Sequence, residues 1–300
     1  MIRQSTRAIL AAICFGVWAG SAAAQPITRG DIVVVRFGDG TAALGAFATP
    51  VFLDEYTPTG TLVRSIAVPS AGTSALTVTG NATTEGILSL SQNGGLLVFA
   101  GYRKDAGAAT ATGANDTPAT TNRVIGTLTP GGVVNTSIAI TDGTAANFRS
   151  ATTVNGSSYY TSTSAQVGYV ASPGPASTTA AIDARNSRQV NLAGNVLYAS
   201  NGSTTITDKV QSYGTLPTGA ATPSPVVTLA LADAVNGFFL ADLNSAVAGI
   251  DTVYALSTVE GLLRKFTFNG TSWAANGSIP AAAAQDLTGV VNGTTVQLYI

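Results

Sequence analysis

Residues 57–68 have the sequence TPTGTLVRSIAV, and residues 129–140 have the sequence TPGGVVNTSIAI. The two segments align without gaps at an offset of 72, and six of their twelve positions are identical. Each copy has the pattern of a strand, a Pro-x-Gly turn and a second strand, so each predicts a β-hairpin. A hairpin that recurs along the chain indicates a repeat architecture, in which every unit packs on its neighbours.

A second repeat marks where the units begin. Residues 147–162 (NFRSATTVNGSSYYTS) resemble residues 186–200 (NSRQVNLAGNVLYAS) at an offset of 39, and both copies start with Asn-x-Arg. The same opening hairpin recurs more loosely from Glu85, Asn236 and Asp286. The intervals between these starts are 39 to 62 residues and each holds about four strands, which is typical of β-propeller blades.

Turn dipeptides and apolar runs support the same architecture. Asn-Gly, the strongest short hairpin signal, occurs at seven places after residue 25. Strands such as 32–35 and 96–99 are apolar on both faces, as expected when neighbouring blades cover both sides of a sheet. A parallel β-helix would have shorter coils, and a sandwich would not repeat so regularly. We therefore predict an all-β fold, a β-propeller of four-stranded antiparallel blades.

The predicted blades begin near residues 30, 85, 147, 186, 236 and 286. Residues 30–69 hold three strands, so the first blade lacks its innermost strand on the N-terminal side. The chain ends at Ile300, within a segment (VQLYI) that matches the second strand of the last blade. We expect a sequence that is truncated at its C-terminus, with about six to seven blades when complete.

The first 24 residues have the three parts of a signal peptide. Arg3 and Arg7 precede an apolar stretch at 8–19, and three alanines at 22–24 form a small-residue cleavage site before Gln25. Twelve apolar residues are too few to span a bilayer as a helix, and no later stretch has eighteen. We expect a propeller domain over 25–300, export to the periplasm, cell surface or exterior, and no membrane span after cleavage.

Composition excludes several classes of function. The 300 residues include 14 Lys and Arg, 15 Asp and Glu, no His, and one Cys, which is Cys14 in the N-terminal segment. Without histidine, there is neither a Ser-His-Asp triad nor a histidine zinc site, and the mature chain has no thiol nucleophile. No basic stripe is present, so nucleic acid is not an expected partner. We expect no metal ion and no cofactor.

The signal peptide, the repeats and residues 30–69 (GDIVVVRFGDGTAALGAFATPVFLDEYTPTGTLVRSIAVP) resemble exported bacterial β-propeller proteins of uncharacterised function. Some of these proteins end in a Pro-Glu-Pro sorting tail, which these 300 residues do not contain. The resemblance covers most of the mature chain and implies the fold. It brings no catalytic residues with it.

Polar residues cluster where the predicted blades begin, and in a propeller these positions lie at the mouth of the central channel. They are Glu85, Asn147, Arg149, Asn186, Arg188, Asn236 and Asp286. A ring of Arg, Asn and carboxylate groups can bind a carboxylate or a sugar, because Arg offers a planar fork of donors. The alternative is that Asn and Arg only satisfy backbone groups at blade boundaries.

Asp54 and Glu55 are neighbours on a predicted strand. Their side chains point to opposite faces, so they do not form a paired-carboxylate catalytic site. We interpret them as charges that protect a blade edge.

Because no reactive constellation is visible, the sequence favours a secreted, non-catalytic propeller that binds an extracellular glycan or a surface protein. The first alternative is a propeller lyase or hydrolase that acts on carbohydrate through carboxylates at the channel mouth. The second is a structural protein of the envelope.

Overall fold

The computed structural model describes residues 24–109 and 116–300, so the expected signal peptide lies outside the described residues apart from its last alanine. The described chain consists of β-strands and one short 3-10 turn, Gly72–Ser74. No helix in this part of the chain is long and apolar enough to cross a membrane. The predicted all-β class is therefore confirmed.

The N-terminal strands form one continuous sheet with two halves. Sheet 1 consists of β1 (Ile32–Phe37), β2 (Ala48–Tyr56) and β3 (Leu62–Ala67), with β2 in the middle. The next five strands are β4 (Thr77–Thr79), β5 (Ser89–Leu90), β6 (Leu97–Tyr102), β7 (Arg123–Leu128) and β8 (Val134–Ile140). Sheet 2 is β5 to β8, and β4 pairs with both β2 and β6, so it joins the two halves.

Three separate four-stranded sheets follow, each built from consecutive antiparallel strands. Sheet 3 is β9 (Phe148–Thr152), β10 (Tyr159–Thr163), β11 (Val167–Val170) and β12 (Ala180–Asp183). Sheet 4 is β13 (Ser187–Ala193), β14 (Val196–Asn201), β15 (Asp208–Thr215) and β16 (Ser224–Thr228). Sheet 5 is β17 (Val235–Ala241), β18 (Thr252–Ser257), β19 (Leu262–Phe268) and β20 (Trp273–Pro280). Sheet 6 is the hairpin of β21 (Thr288–Asn292) and β22 (Thr295–Tyr299).

Apolar side chains fill the space between each sheet and the next. Five buried clusters occupy the five successive interfaces, so each inner sheet is covered on both faces. From the first interface to the last, they contain Leu53 and Phe99, Tyr102 and Phe148, Tyr160 and Val190, Tyr198 and Phe238, and Leu256 and Leu287. This face-to-face packing explains why the strands are apolar on both sides and why the chain has so few charges.

The first strands of the sheets meet around a common axis. Ile87, which lies just before β5, forms a parallel bridge with Ser150 of β9. The Ser150 hydroxyl in turn accepts a hydrogen bond from the Val190 amide of β13 at 2.9 Å. Hydrogen bonds thus connect the inner strands of sheets 2, 3 and 4.

A contact between residues of sheets 2 and 4, which are not neighbours, crosses this axis. The Gln92 side chain donates to Oδ1 of Asn195 at 2.7 Å and accepts from the Asn195 amide at 3.0 Å. Asn195 lies at the β13–β14 turn with a φ of 64°, the left-handed conformation that suits a tight hairpin. The reciprocal pair joins residues 103 positions apart.

The interpretation of Asp54 and Glu55 as edge charges is wrong. Both lie on β2, which has β1 on one side and β3 on the other, and their side chains are buried. Arg36 binds Asp54 at 2.6 Å, and Arg64 binds Glu55 at 2.6 Å. The two carboxylates bind different arginines, so they are structural ion pairs and not a catalytic pair.

Candidate functional site

Three inner strands begin with the same irregularity. The antiparallel register of β9, β13 and β17 shifts by one residue directly after the first residue of each strand. Such a β-bulge re-aims the side chain that it contains. The bulges take in Arg149, Arg188 and Asn236, so three of the residues predicted from the sequence lie at corresponding places in successive sheets.

The residue just before an inner strand reaches back to the preceding sheet. Asn147 donates from Nδ2 to Oε1 of Glu85 at 2.8 Å, and Asn186 accepts at Oδ1 from Nη1 of Arg149 at 2.5 Å. Asp286 packs on Gly237, where a Cβ atom would lie 2.4 Å from its Oδ1. The openings of sheets 4 and 6 therefore contact the inner strand of the sheet before them, and the opening of sheet 3 contacts Glu85, just before β5.

Glu85 is buried, with 5% of its surface exposed, and three donors hold its carboxylate. Its Oε1 accepts from the Tyr102 hydroxyl at 2.7 Å as well as from Asn147, and its Oε2 accepts from the Thr79 amide at 3.0 Å. The Tyr102 oxygen also accepts from the Phe148 amide at 2.9 Å. Burial and the nearby Glu85 charge raise the pKa of Tyr102 far above its usual value, so this hydroxyl stays a donor.

Arg149 is buried and only partly satisfied. Its Nη1 donates to Asn186 and also to the Ser187 carbonyl at 2.6 Å. Its Nε is buried and has no hydrogen-bond partner among the described residues. Burial and the neighbouring Arg188 charge lower the pKa of Arg149 to about 10. The cost of placing two like charges together marks this position as electrostatically strained.

Arg188 has no partner for its guanidinium among the residues that the structure describes, and its Nε is shielded from solvent. The group lies against Gly202, where a Cβ atom would be 2.5 Å from both Nε and Nη2. Only glycine at position 202 leaves room for the Arg188 guanidinium. Burial lowers the pKa of Arg188 from its usual value.

Asn236 and Asp286 are the last two of the seven residues predicted from the sequence. Asn236 is buried, and its Nδ2 lies 3.3 Å from the Thr83 carbonyl and 3.4 Å from Oε1 of Gln285. The contact with Thr83 spans the axis from sheet 5 to the start of sheet 2. Asp286 is half-buried by surface area, but its carboxyl is densely packed, and among the described residues it accepts from the Leu287 amide alone, at 2.8 Å. Burial raises the pKa of Asp286 to about 7.

All seven residues singled out in the sequence thus lie at the openings of sheets 2 to 6. Glu85, Asn147, Arg149 and Asn186 are linked by hydrogen bonds, with Glu85 and Asn147 forming one pair and Arg149 and Asn186 the other. Arg188 lies near Arg149, and Asp286 lies beside Gly237, the neighbour of Asn236. We call these seven residues the polar ring. No group of three His, Cys, Asp or Glu side chains suited to a metal ion occurs in the described ranges.

Sequence reasoning missed Tyr102 and the Thr79 amide, which orient Glu85. Tyr102 ends an apolar strand and looks like an ordinary core residue. Its partner is 17 positions away along the chain, and no local pattern marks the contact.

A groove of about 510 Å³ lies away from the polar ring. Its one charged lining residue, Arg103, donates to the Ala75 carbonyl at 2.8 Å and to the Thr136 carbonyl at 2.5 Å. These bonds fasten the bulged outer strand β8 to the segment before β4, so Arg103 has a structural role there.

Comparison with solved structures supports the propeller architecture. The periplasmic gluconolactonase PpgL of Pseudomonas aeruginosa matches 89% of this chain and 74% of its own, with a TM-score of 0.53 and 12% identity. A 6-phosphogluconolactonase-like protein of Bacteroides uniformis matches 86% of this chain and 70% of its own, with a TM-score of 0.47 and 11% identity. No family model and no curated protein matches the chain. Together with the four-stranded sheets, the likeness to PpgL confirms the predicted β-propeller.

The comparisons correct the interpretation of the chain as a non-catalytic binding module. PpgL, which matches 89% of the chain, is named as a gluconolactonase, and this name favours the carbohydrate-hydrolase alternative. At 12% identity, the likeness itself establishes the fold alone.

Proposed function

We propose that this propeller is a hydrolase that opens a carbohydrate-derived lactone at the polar ring. The observation that supports this most directly is that the polar ring contains both a candidate base and a candidate group to stabilise negative charge. A carboxyl with a pKa of about 7, Asp286, shares the ring with a guanidinium, Arg188, that has no partner among the described residues.

Hydrolysis of a lactone needs a base and a site for negative charge. Asp286 in its ionised form takes a proton from water, and the water oxygen bonds to the lactone carbonyl carbon. The bond from that carbon to the ring oxygen then breaks, and the proton passes from Asp286 to the departing oxygen. A carboxyl with a pKa near 7 suits both transfers at neutral pH.

Arg188 stabilises the charge that develops on the carbonyl oxygen. Its N–H groups are not engaged with other described residues, so they are available to donate to that oxygen. Glu85 has a different task, because three donors already occupy its oxygens. It holds Asn147 in place and offsets part of the positive charge of Arg149.

The name of PpgL, a periplasmic gluconolactonase, supports both the reaction class and an exported location. The sequence of residues 1–24 is consistent with export of this chain to the periplasm or beyond. Residues of the ring lie at the openings of successive sheets, where propellers build ligand sites.

The proposal is tested by measuring acid release from glucono-1,5-lactone with the full-length protein, after subtraction of the uncatalysed rate. We expect catalysed hydrolysis that rises with pH through about 7 as Asp286 ionises. Asp286→Asn removes the base and should lower kcat at least a hundredfold. Asp242→Asn, at an exposed aspartate in the loop that follows β17, is the matched control and should keep full activity.

The proposal would be refuted for this substrate class if the protein hydrolysed neither glucono-1,5-lactone nor glucaro-1,4-lactone faster than the uncatalysed reaction. Equal activity of the Asp286→Asn and Asp242→Asn proteins would refute the role of Asp286.

A further inference from the structure

We infer that the Nε groups of Arg149 and Arg188 bind a carboxylate group of the ligand, which leaves the Nη groups of Arg188 for the lactone carbonyl oxygen. The substrate is then a lactone of a dicarboxylic sugar acid, which keeps one free carboxylate. This inference rests on the proposed function, because it names the substrate class of the same site. The observations behind it are unsatisfied donors, the balance of charge and the shape of the space at Gly202.

Two buried hydrogen-bond donors of the polar ring have no acceptor among the described residues. Buried N–H groups without an acceptor are uncommon in folded proteins, since each costs free energy relative to its hydrated state. Arg149 and Arg188 each have a buried Nε without a partner among the described residues. Two such groups on neighbouring guanidiniums indicate a site that is completed by an acceptor from outside.

The balance of charge favours a single negative charge. Arg149 and Arg188 contribute two positive charges, and Glu85 offsets one of them. Arg123 is also near Glu85, but Asp116 lies close to it as a counter-charge. A carboxylate supplies one negative charge, whereas a phosphate monoester supplies about 1.5 to 2 at neutral pH.

The shape also fits a planar group. A guanidinium presents parallel N–H donors in a plane, which match the two oxygens of a carboxylate. Gly202 leaves the space in which the Arg188 guanidinium lies, because a Cβ atom at 202 would overlap it. Any larger residue there would displace Arg188 from its place beside Arg149.

Binding is measured without turnover, by calorimetry of the full-length protein with D-glucuronate, D-glucose and D-glucose 6-phosphate. We expect D-glucuronate to bind at least tenfold more tightly than either of the other two. Arg188→Gln keeps a similar side-chain length but removes the charge, and it should weaken D-glucuronate binding at least tenfold. Arg264→Gln, which removes an exposed ion pair with Glu260, is the control and should leave the affinity unchanged.

Circular dichroism establishes that each variant is folded before binding is compared. Equal binding of D-glucose would overturn the inference, and tighter binding of D-glucose 6-phosphate would overturn the choice of carboxylate over phosphate. Unchanged D-glucuronate affinity in Arg188→Gln would also overturn the inference. Gly202→Val is a second variant that displaces the same guanidinium. Tight D-glucuronate binding without hydrolysis of any lactone would contradict the proposed function and leave this inference standing.

Discussion

The openings of sheets 3 and 4 begin with the same Asn-x-Arg tripeptide, yet the two arginines have different surroundings. Arg149 of sheet 3 is held by Asn186 and by the Ser187 carbonyl at the next opening. Arg188 of sheet 4 lies against Gly202, and at the opening of the following sheet 5, Ala234 occupies the position that corresponds to Asn186. The second arginine therefore has no such acceptor.

This difference shows how one repeated motif serves two purposes. In sheet 3 the arginine fastens one sheet to the next, as the structural interpretation of the motif predicts. In sheet 4 the loss of a single acceptor leaves a guanidinium without a partner among the described residues. The repeat thus supplies the position of the side chain, and the neighbouring sheet decides whether it is structural or available for a ligand.

The largest expected effect is a contrast in stability between Arg149→Met and Arg188→Met. Removing Arg149 leaves Asn186 and the Ser187 carbonyl without their donor, and we expect the free energy of unfolding to fall by about 2 to 4 kcal/mol. Removing Arg188 breaks no such bond and relieves its repulsion with Arg149. The free energy of unfolding should therefore change by no more than about 1 kcal/mol. Urea unfolding measures both, and equal losses would contradict the comparison.

A smaller effect is expected for Tyr102→Phe, which acts where the opening of sheet 2 meets the opening of sheet 3. The hydroxyl orients Glu85, which in turn holds Asn147, and it also accepts from the Phe148 amide. We expect a loss of about 1 to 2 kcal/mol in urea unfolding.

The control for this change is Tyr198→Phe, at a buried tyrosine whose hydroxyl has no hydrogen bond among the described residues. It should cost less than half as much as Tyr102→Phe. A comparable loss in the two variants would show that the hydroxyl of Tyr102 adds nothing specific to the opening of sheet 3.

The smallest expected effect comes from making the two openings alike. Ala234→Asn offers Arg188 the acceptor that Asn186 offers Arg149, and we expect a gain of about 0.5 to 1 kcal/mol in stability. D-Glucuronate affinity should fall at the same time, because the guanidinium is then occupied. Ala232→Asn, two residues earlier and exposed, should change neither quantity. Unchanged affinity in Ala234→Asn would argue against Arg188 as the ligand-binding arginine.

The fold was predictable because its signals are local and repeated. Asn-Gly turns mark hairpins, and the Asn-x-Arg copies mark positions where inner strands begin at 148 and 187. The short strand β4 was not predicted, since three residues between loops have no pattern of their own. Its pairing with β2 and β6 depends on how sheets 1 and 2 pack together, and no local sequence pattern indicates this packing.

The positions of the candidate residues at the sheet openings were predictable from the sequence, but their hydrogen bonds and burial were not. The opening positions of Arg149 and Arg188 are visible in the repeat, whereas their difference depends on Ala234, which lies 46 residues after Arg188. Likewise, the sequence places Asp54 and Glu55 on a strand, but only pairing with β1 and β3 brings Arg36 and Arg64 to them. Burial and charge pairing arise from packing between sheets.

The two contacts that cross the axis have a consequence for the order of folding. Gln92 meets Asn195 across 103 residues, and Asn236 meets Thr83 across 153. Closing such long loops costs entropy before the contacts form, so these bonds belong to the late steps of folding. A linear repeat protein tolerates the loss of a unit because each repeat touches only its neighbours. Here each of the two pairs joins sheets that are not neighbours, so we expect unfolding to be more cooperative than in a linear repeat protein.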